Sequence, residues 1–151
     1  MHSFLFRLRQ LLVLLVLLSG MSGCILVPFV QAFKETGLTE GDRMALLPAK
    51  VKKFSDARVF GNKTEALSVV AEDSKVEIAN QLQTGKERER IVKSQIDNIE
   101  WLENAYKARV VVSVESFTMS QLIVQTTSEE QQWEFSSGSG WLLTSRTKLD
   151  A

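Results

Sequence analysis

Polarity changes in one direction along the first two dozen residues. Arg7 and Arg9 lie in MHSFLFRLRQ, the eight residues Leu11 to Leu18 are all apolar, and small residues lead into Met21-Ser22-Gly23-Cys24. A basic start, an apolar centre and a small-residue end make the order of an export signal. The apolar run is far shorter than the roughly 20 residues a spanning helix needs. The pattern therefore predicts a cleaved signal over residues 1–23 rather than a transmembrane anchor.

Beyond the signal, Cys24 to Gly41 starts apolar and ends in polar and glycine residues, which reads as a tether over residues 24–41. Phe29 and Phe33 fit either that tether or an amphipathic turn packed on the domain. From Asp42, a candidate cap, the period becomes helical: Met44, Leu47, Val51 and Phe54 share one face. Pro48 opposes this, because a proline inside a helix removes a hydrogen bond and crowds the preceding turn, so the regular helix is expected to begin near Leu47. Gly61 supplies its stop. Asn62 with Glu65, and Ser74 with Glu77, resemble capping boxes ahead of two short helices. Thr84-Gly85 and the charged run Lys86 to Arg90 end the helical region.

After Ile91 the pattern is that of strands. Ile96, Asn98 and Glu100 alternate with Asp97, Ile99 and Trp101, and Glu103-Asn104 marks a turn before the valine-rich run Lys107 to Phe117. A third run is placed at Met119 to Thr127, followed by a polar stretch and Gln131 to Phe135. Ser136-Ser137-Gly138-Ser139-Gly140 forms a hairpin loop ahead of Trp141-Leu142-Leu143. Helices first and an antiparallel meander afterwards predict one α+β domain over residues 42–146, with a tail at 147–151. Val110, Val112 and Val114 make one face of a strand apolar, and the helix stripe is the available cover. Burying its four side chains contributes about 1.5–3 kcal/mol each before chain entropy is charged.

Composition narrows the function classes. Without residues 1–23 the chain keeps 128 residues with 16 basic and 18 acidic side chains, a balance of −2. That argues against nucleic acid, whose binders neutralise phosphates. Cys24 is the sole cysteine, so no intramolecular disulfide can form. His2 leaves with the signal, and with no histidine and no second thiol a zinc or transition-metal site is not expected. No cofactor is expected.

Two resemblances add to this reading. Met21-Ser22-Gly23-Cys24 resembles the lipobox of bacterial lipoproteins, with Met21 where leucine is usual, which implies that Cys24 takes diacylglyceryl and becomes the mature N-terminus. The segment Phe54-Ser55-Asp56-Ala57-Arg58-Val59-Phe60-Gly61-Asn62, running into Glu65-Ala66-Leu67, and the hairpin Gln132-Trp133-Glu134-Phe135 with Gly140-Trp141-Leu142-Leu143 resemble the nuclear-transport-factor-2-like superfamily. That likeness covers Asp42 to Arg146. It implies N-terminal helices packed on a strongly curved, cone-shaped antiparallel sheet, and either a binding and dimerisation module or an isomerase- or dehydratase-like pocket.

Candidate chemistry is sparse. Asp97, Glu100 and Glu115 on predicted strands are the carboxylates available for proton transfer, but charges on an open sheet face are mostly solvated. Ser136, Ser137 and Ser139 have no base to activate them, and Tyr106 lies beside a turn. Arg58 follows Phe54 by four and Val51 by seven, on the apolar stripe. It reads either as a cation that binds an anionic ligand or as a snorkelling side chain paired with a carboxylate such as Glu115. Trp101, Trp133 and Trp141 suit a core more than an aromatic binding surface, and Lys50, Lys52, Lys53 and Lys63 are spread around their helix.

The expectation is a lipid-anchored, non-enzymatic envelope protein that meets the membrane through lipid on Cys24. Its domain binds a small apolar or anionic ligand or an envelope protein, and homodimerisation through the sheet stays open. The alternative is a small-pocket enzyme working with carboxylates. Replacing Cys24 with Ala should leave an unprocessed precursor that incorporates no palmitate; palmitate labelling equal to that of the native chain would remove the lipoprotein assignment. In a Gram-negative host Ile25, where Asp commonly signals inner-membrane retention, directs the mature chain to the outer membrane.

Overall fold

The structure is a computed structural model that describes residues 36–82, 90–118 and 122–149. The signal segment, Cys24, most of the tether, Thr84-Gly85 with Lys86 to Glu89, and Met119 to Gln121 lie outside the described residues. All described residues belong to one unit, Thr36–Ala151.

Helix α1 spans Glu40–Val59. Thr39, not Asp42, is its cap. The Asp42 amide donates to Thr39 Oγ1 at 3.1 Å and the Thr39 amide donates back to Asp42 Oδ2 at 3.3 Å, a reciprocal capping box. The helix passes through Pro48 instead of starting near Leu47. Pro48 is exposed, while Leu47, Val51 and Phe54 are buried, so packing on the sheet outweighs the lost backbone bond. At the other end the Gly61 amide donates to the Arg58 carbonyl at 3.1 Å and the Asn62 amide to the Ala57 carbonyl at 2.7 Å, with Gly61 at φ +68°. This pair of bonds is a Schellman stop.

Two short helices follow. In α2, Lys63–Leu67, the Glu65 amide donates to the Asn62 side chain at 3.1 Å. A 3-10 turn at Glu72–Ser74 leads into α3, Lys75–Gln81. Ser74 does not cap α3 as expected; its hydroxyl instead donates to the Thr144 carbonyl at 2.7 Å and ties the turn to the last strand.

Four strands follow among the described residues: β1 Arg90–Leu102, β2 Lys107–Phe117, β3 Gln125–Ser136 and β4 Gly140–Leu149. They form one antiparallel sheet in the order β1-β2-β3-β4. The third run is displaced from its expected place, for β3 begins at Gln125 and takes in the whole polar stretch. The larger correction concerns shape. The sheet is a four-stranded meander that is not strongly curled, so the cone of the nuclear-transport-factor-2-like expectation is not what this chain forms. The residues behind that likeness, a helix stop and a hairpin, are local features that do not set the curvature of a sheet.

One face of the sheet meets the helices. Trp101, Ala108, Trp133 and Leu143 stand in one row across it, and Ile99, Val110, Gln131 and Arg146 in the next. Leu47, Phe54, Val110, Val112, Trp133, Trp141 and Leu143 are all 0% exposed. Phe54 meets Trp133 edge-on at 6.3 Å between ring centroids, and Phe135 meets Trp141 likewise at 5.6 Å. The opposite face carries surface ion pairs such as Glu100–Arg109 at 2.9 Å and Lys93–Glu115 at 3.4 Å, as an antiparallel sheet open to water on one side permits.

The entry of α1 is locked by Arg43. Its Nε donates to the Ala105 carbonyl at 3.1 Å, its Nη2 to Asn104 at 2.8 Å, and its Nη1 to Gly37 at 3.1 Å and Leu38 at 3.2 Å. The guanidinium also lies 4.0 Å from the Tyr106 ring centroid. Glu103, Asn104 and Ala105 all hold positive φ, between 50° and 57°. Each left-handed non-glycine residue costs about 1–2 kcal/mol, and the charged hydrogen bonds on the Asn104 and Ala105 carbonyls offset part of that cost. Arg43→Leu should therefore destabilise the fold by about 3 kcal/mol, since bonds to a charged donor contribute roughly 1.5–3 kcal/mol and four acceptors lose theirs. Truncating Trp133 to Ala should cost about 3–5 kcal/mol through the cavity it leaves. Urea denaturation measures both, and a change below about 1 kcal/mol in either would contradict this packing.

Candidate functional site

The polar end of the inner sheet face contains a buried ion cluster. Residues 129, 131 and 133 point to the same face of β3 because strand side chains alternate, which lines up Glu129 and Gln131 with the core residue Trp133. Arg146 enters from the neighbouring β4, where Gln131 and Arg146 are register partners. Arg58 enters from the last turn of α1, a position where a cation also complements the helix dipole.

Three side chains converge on the Glu129 carboxylate. Arg58 Nη1 donates to Glu129 Oε1 at 2.5 Å and Gln131 Nε2 to the same oxygen at 2.8 Å. Arg146 donates to Oε2 through Nε at 2.7 Å and Nη2 at 2.6 Å. Trp133 Nε1 extends the network to Gln131 Oε1 at 3.1 Å. The side chains of Arg58 and Arg146 are 5% exposed and that of Glu129 is 2% exposed. Burial pushes the Glu129 carboxyl upward, but the charges of Arg58 and Arg146 and their hydrogen bonds outweigh it and hold the group below its ordinary 4.5.

This arrangement suits holding better than proton transfer. A general base needs a free lone pair and a pKa near the working pH, whereas Glu129 is held below its ordinary pKa and occupied by four nitrogen donors from three side chains. The other carboxylates singled out in the sequence stay apart from it on the solvated face: Asp97 accepts from the Ser113 hydroxyl, Glu100 pairs with Arg109 and Glu115 with Lys93. Among the described residues no group of acidic side chains could hold a metal ion. A groove of about 410 Å³ lies between α1 and α2, lined by Lys52, Lys53, Asp56, Phe60 and Glu65 with two alanines. It is open to solvent, and two of its charged side chains, Lys52 and Asp56, form an exposed ion pair.

Arg58 thus sits where its helix phase placed it, but its partner is Glu129 and not Glu115. Trp133 and Trp141 are core, and Tyr106 rests under Arg43. Ser136, Ser137 and Ser139 occupy the β3–β4 turn region. Lys52 pairs with Asp56 on the helix surface. Cys24 lies outside the described residues. Sequence reasoning missed Arg43, Glu129, Gln131 and Arg146. The signal for two of them was present, because an alternation carried back from Phe135 and Trp133 places Gln131 and Glu129 on the buried face.

No protein-family model and no curated protein matches the chain. Among solved structures, the crystal structure of the intermembrane space region of the chloroplast protein ARC6 aligns with a TM-score of 0.49 and 15% identity, covering 71% of this chain and 96% of that one. A likeness at that level carries no inference about this chain.

Glu129→Gln leaves two buried guanidiniums without their anion and should cost about 3–5 kcal/mol. Arg58→Leu, which leaves Arg146 on the carboxylate, should cost less. Because the folded carboxyl titrates below 4.5, the unfolded chain takes up its proton more readily. The stabilisation is complete above that value and is lost as pH falls through the lower, folded value. Urea midpoints recorded from neutral to acidic pH should drop in the native chain below pH about 4.5, with that component missing from Glu129→Gln; equal acid sensitivity in the two would contradict the assignment.

Proposed function

We propose that the chain is a lipid-anchored protein of the cell envelope whose domain acts by binding and not by turnover. The anchoring half rests on the signal order that ends at Cys24. The binding half rests on one observation above all, the saturated Glu129 carboxylate: this buried acid is held ionised by two arginines and a glutamine. The close packing of Phe54, Trp133 and Trp141 between helix and sheet supports the same reading, because it fills the volume a substrate would need. In this reading Arg58 secures the fold, and a ligand or partner meets the outside of the domain.

Residence and binding can be tested together. After envelope fractionation the mature protein should pellet with membranes and require detergent for release. In native mass spectrometry of the extract it should carry a non-covalent small molecule or protein beyond its own acyl chains. A bare chain released by salt alone would overturn both halves, whereas a membrane-bound but bare chain would overturn the binding half.

A further inference from the structure

The connection between β2 and β3 ends in three successive aliphatic residues that nothing covers among the described residues: Leu122, Ile123 and Val124 are 78%, 68% and 54% exposed. They lie in the longest uncharged stretch of residues 24–151. Lys, Arg, Asp and Glu make up 24% of the sequence, yet none occurs between Glu115 and Glu129. The flanking residues Gln125, Thr126, Thr127 and Ser128 are polar but uncharged. An apolar tip with neutral flanks can leave water without carrying an ion into a medium of low dielectric constant.

Its place in the fold sets what it can reach. Gln125 pairs with Ser116 at the end of the sheet where β1 begins. The tether leaves the opposite end, where Gly37 packs against Phe135 and its carbonyl is held by Arg43. From Gln125 to Phe135 a strand covers roughly 30 Å, and the residues from Cys24 to Glu35, if fully extended, reach at most about 40 Å. With the sheet lying along a bilayer, the acyl chains on Cys24 and the aliphatic tip can therefore enter the same leaflet. A protein partner is a poorer fit, since a stable interface buries roughly 800 Å² on each side, far more than three side chains supply. Hydrocarbon sets no such requirement for area or shape.

We propose that Leu122-Ile123-Val124 is a membrane-inserting tip, a second point of attachment that enters the apolar edge of a phospholipid bilayer. The proposal rests on the envelope reading for the presence of a membrane, but its test is separate. With Gln125→Cys as the site of an environment-sensitive fluorophore, the lipidated chain is reconstituted into phosphatidylcholine vesicles. Severalfold brighter, blue-shifted emission, quenched by acyl-chain nitroxides and unchanged by high salt, is expected. The same probe at Ser137→Cys, on the hairpin beside the tether exit, should remain water-like, and Leu122→Asp with Ile123→Asp should return the Gln125→Cys probe to a water-like spectrum.

Water-like emission from the Gln125→Cys probe in the lipidated chain overturns the tip, as does a shift that survives the two aspartates. Shielding that grows with protein concentration in the absence of vesicles would assign the surface to a second copy and overturn the tip too. If Cys24 also takes up the label, the anchoring reading has failed. The Cys24→Ser chain added to the same vesicles then decides the tip by itself, since vesicle-dependent blue-shifted emission supports it and water-like emission overturns it.

Discussion

A single carboxylate joins the three parts of this fold. Glu129 belongs to β3, Arg146 to β4 and Arg58 to the end of α1, and the two guanidiniums reach opposite oxygens of the same group. A buried ion pair is not in itself a strong source of stability, because desolvation cancels most of the Coulombic gain. Its effect is on geometry. A charge with 2% exposure is tolerable only with its partners in place, so the end of α1 and the two strands are held in one mutual arrangement. An apolar contact would have allowed them to slide.

Arg43 does the same at the start of α1 by different means. An arginine so near a helix N-terminus opposes the helix dipole, and the position is sustained because four backbone carbonyls receive the charge. The helix is thus pinned at both ends by guanidiniums, with Leu47, Val51 and Phe54 between them. Those three make the contact energetically favourable, and the arginines decide where it sits. The left-handed turn at Glu103 to Ala105 belongs to this scheme, since its unusual conformation turns carbonyls toward the guanidinium.

Much of this was legible where a single periodicity operates. The stripe of α1 and its stop at Gly61 follow from helical spacing and glycine, and the buried face of β2 follows from Val110, Val112 and Val114. The start of β3 was not read because Glu129 looks like a solvent residue; a buried position that is polar inverts the signal on which strand reading depends. Strict alternation along β2 also places Glu115 on the face away from Val114 and so away from Arg58, a constraint the sequence contained but that pairing by charge alone overlooks. The capping box illustrates a milder ambiguity, for Thr39 and Asp42 bond each other and either residue type can serve as cap. The curvature of the sheet was beyond reach, because alternation assigns faces and says nothing of how far neighbouring strands bend.

The meander has a consequence for the order of assembly. Each strand pairs with its neighbour in sequence, so the sheet can form by closing short connections at small entropic cost. The bonds from Arg43 to Asn104 and from Arg58 to Glu129 span 61 and 71 residues. These long closures become favourable once the strands already present their acceptors, which makes the docking of α1 the late event. The helix α1, first among the described elements, is thus the last to gain its native contacts, and until then the tryptophan row of the sheet remains open to water.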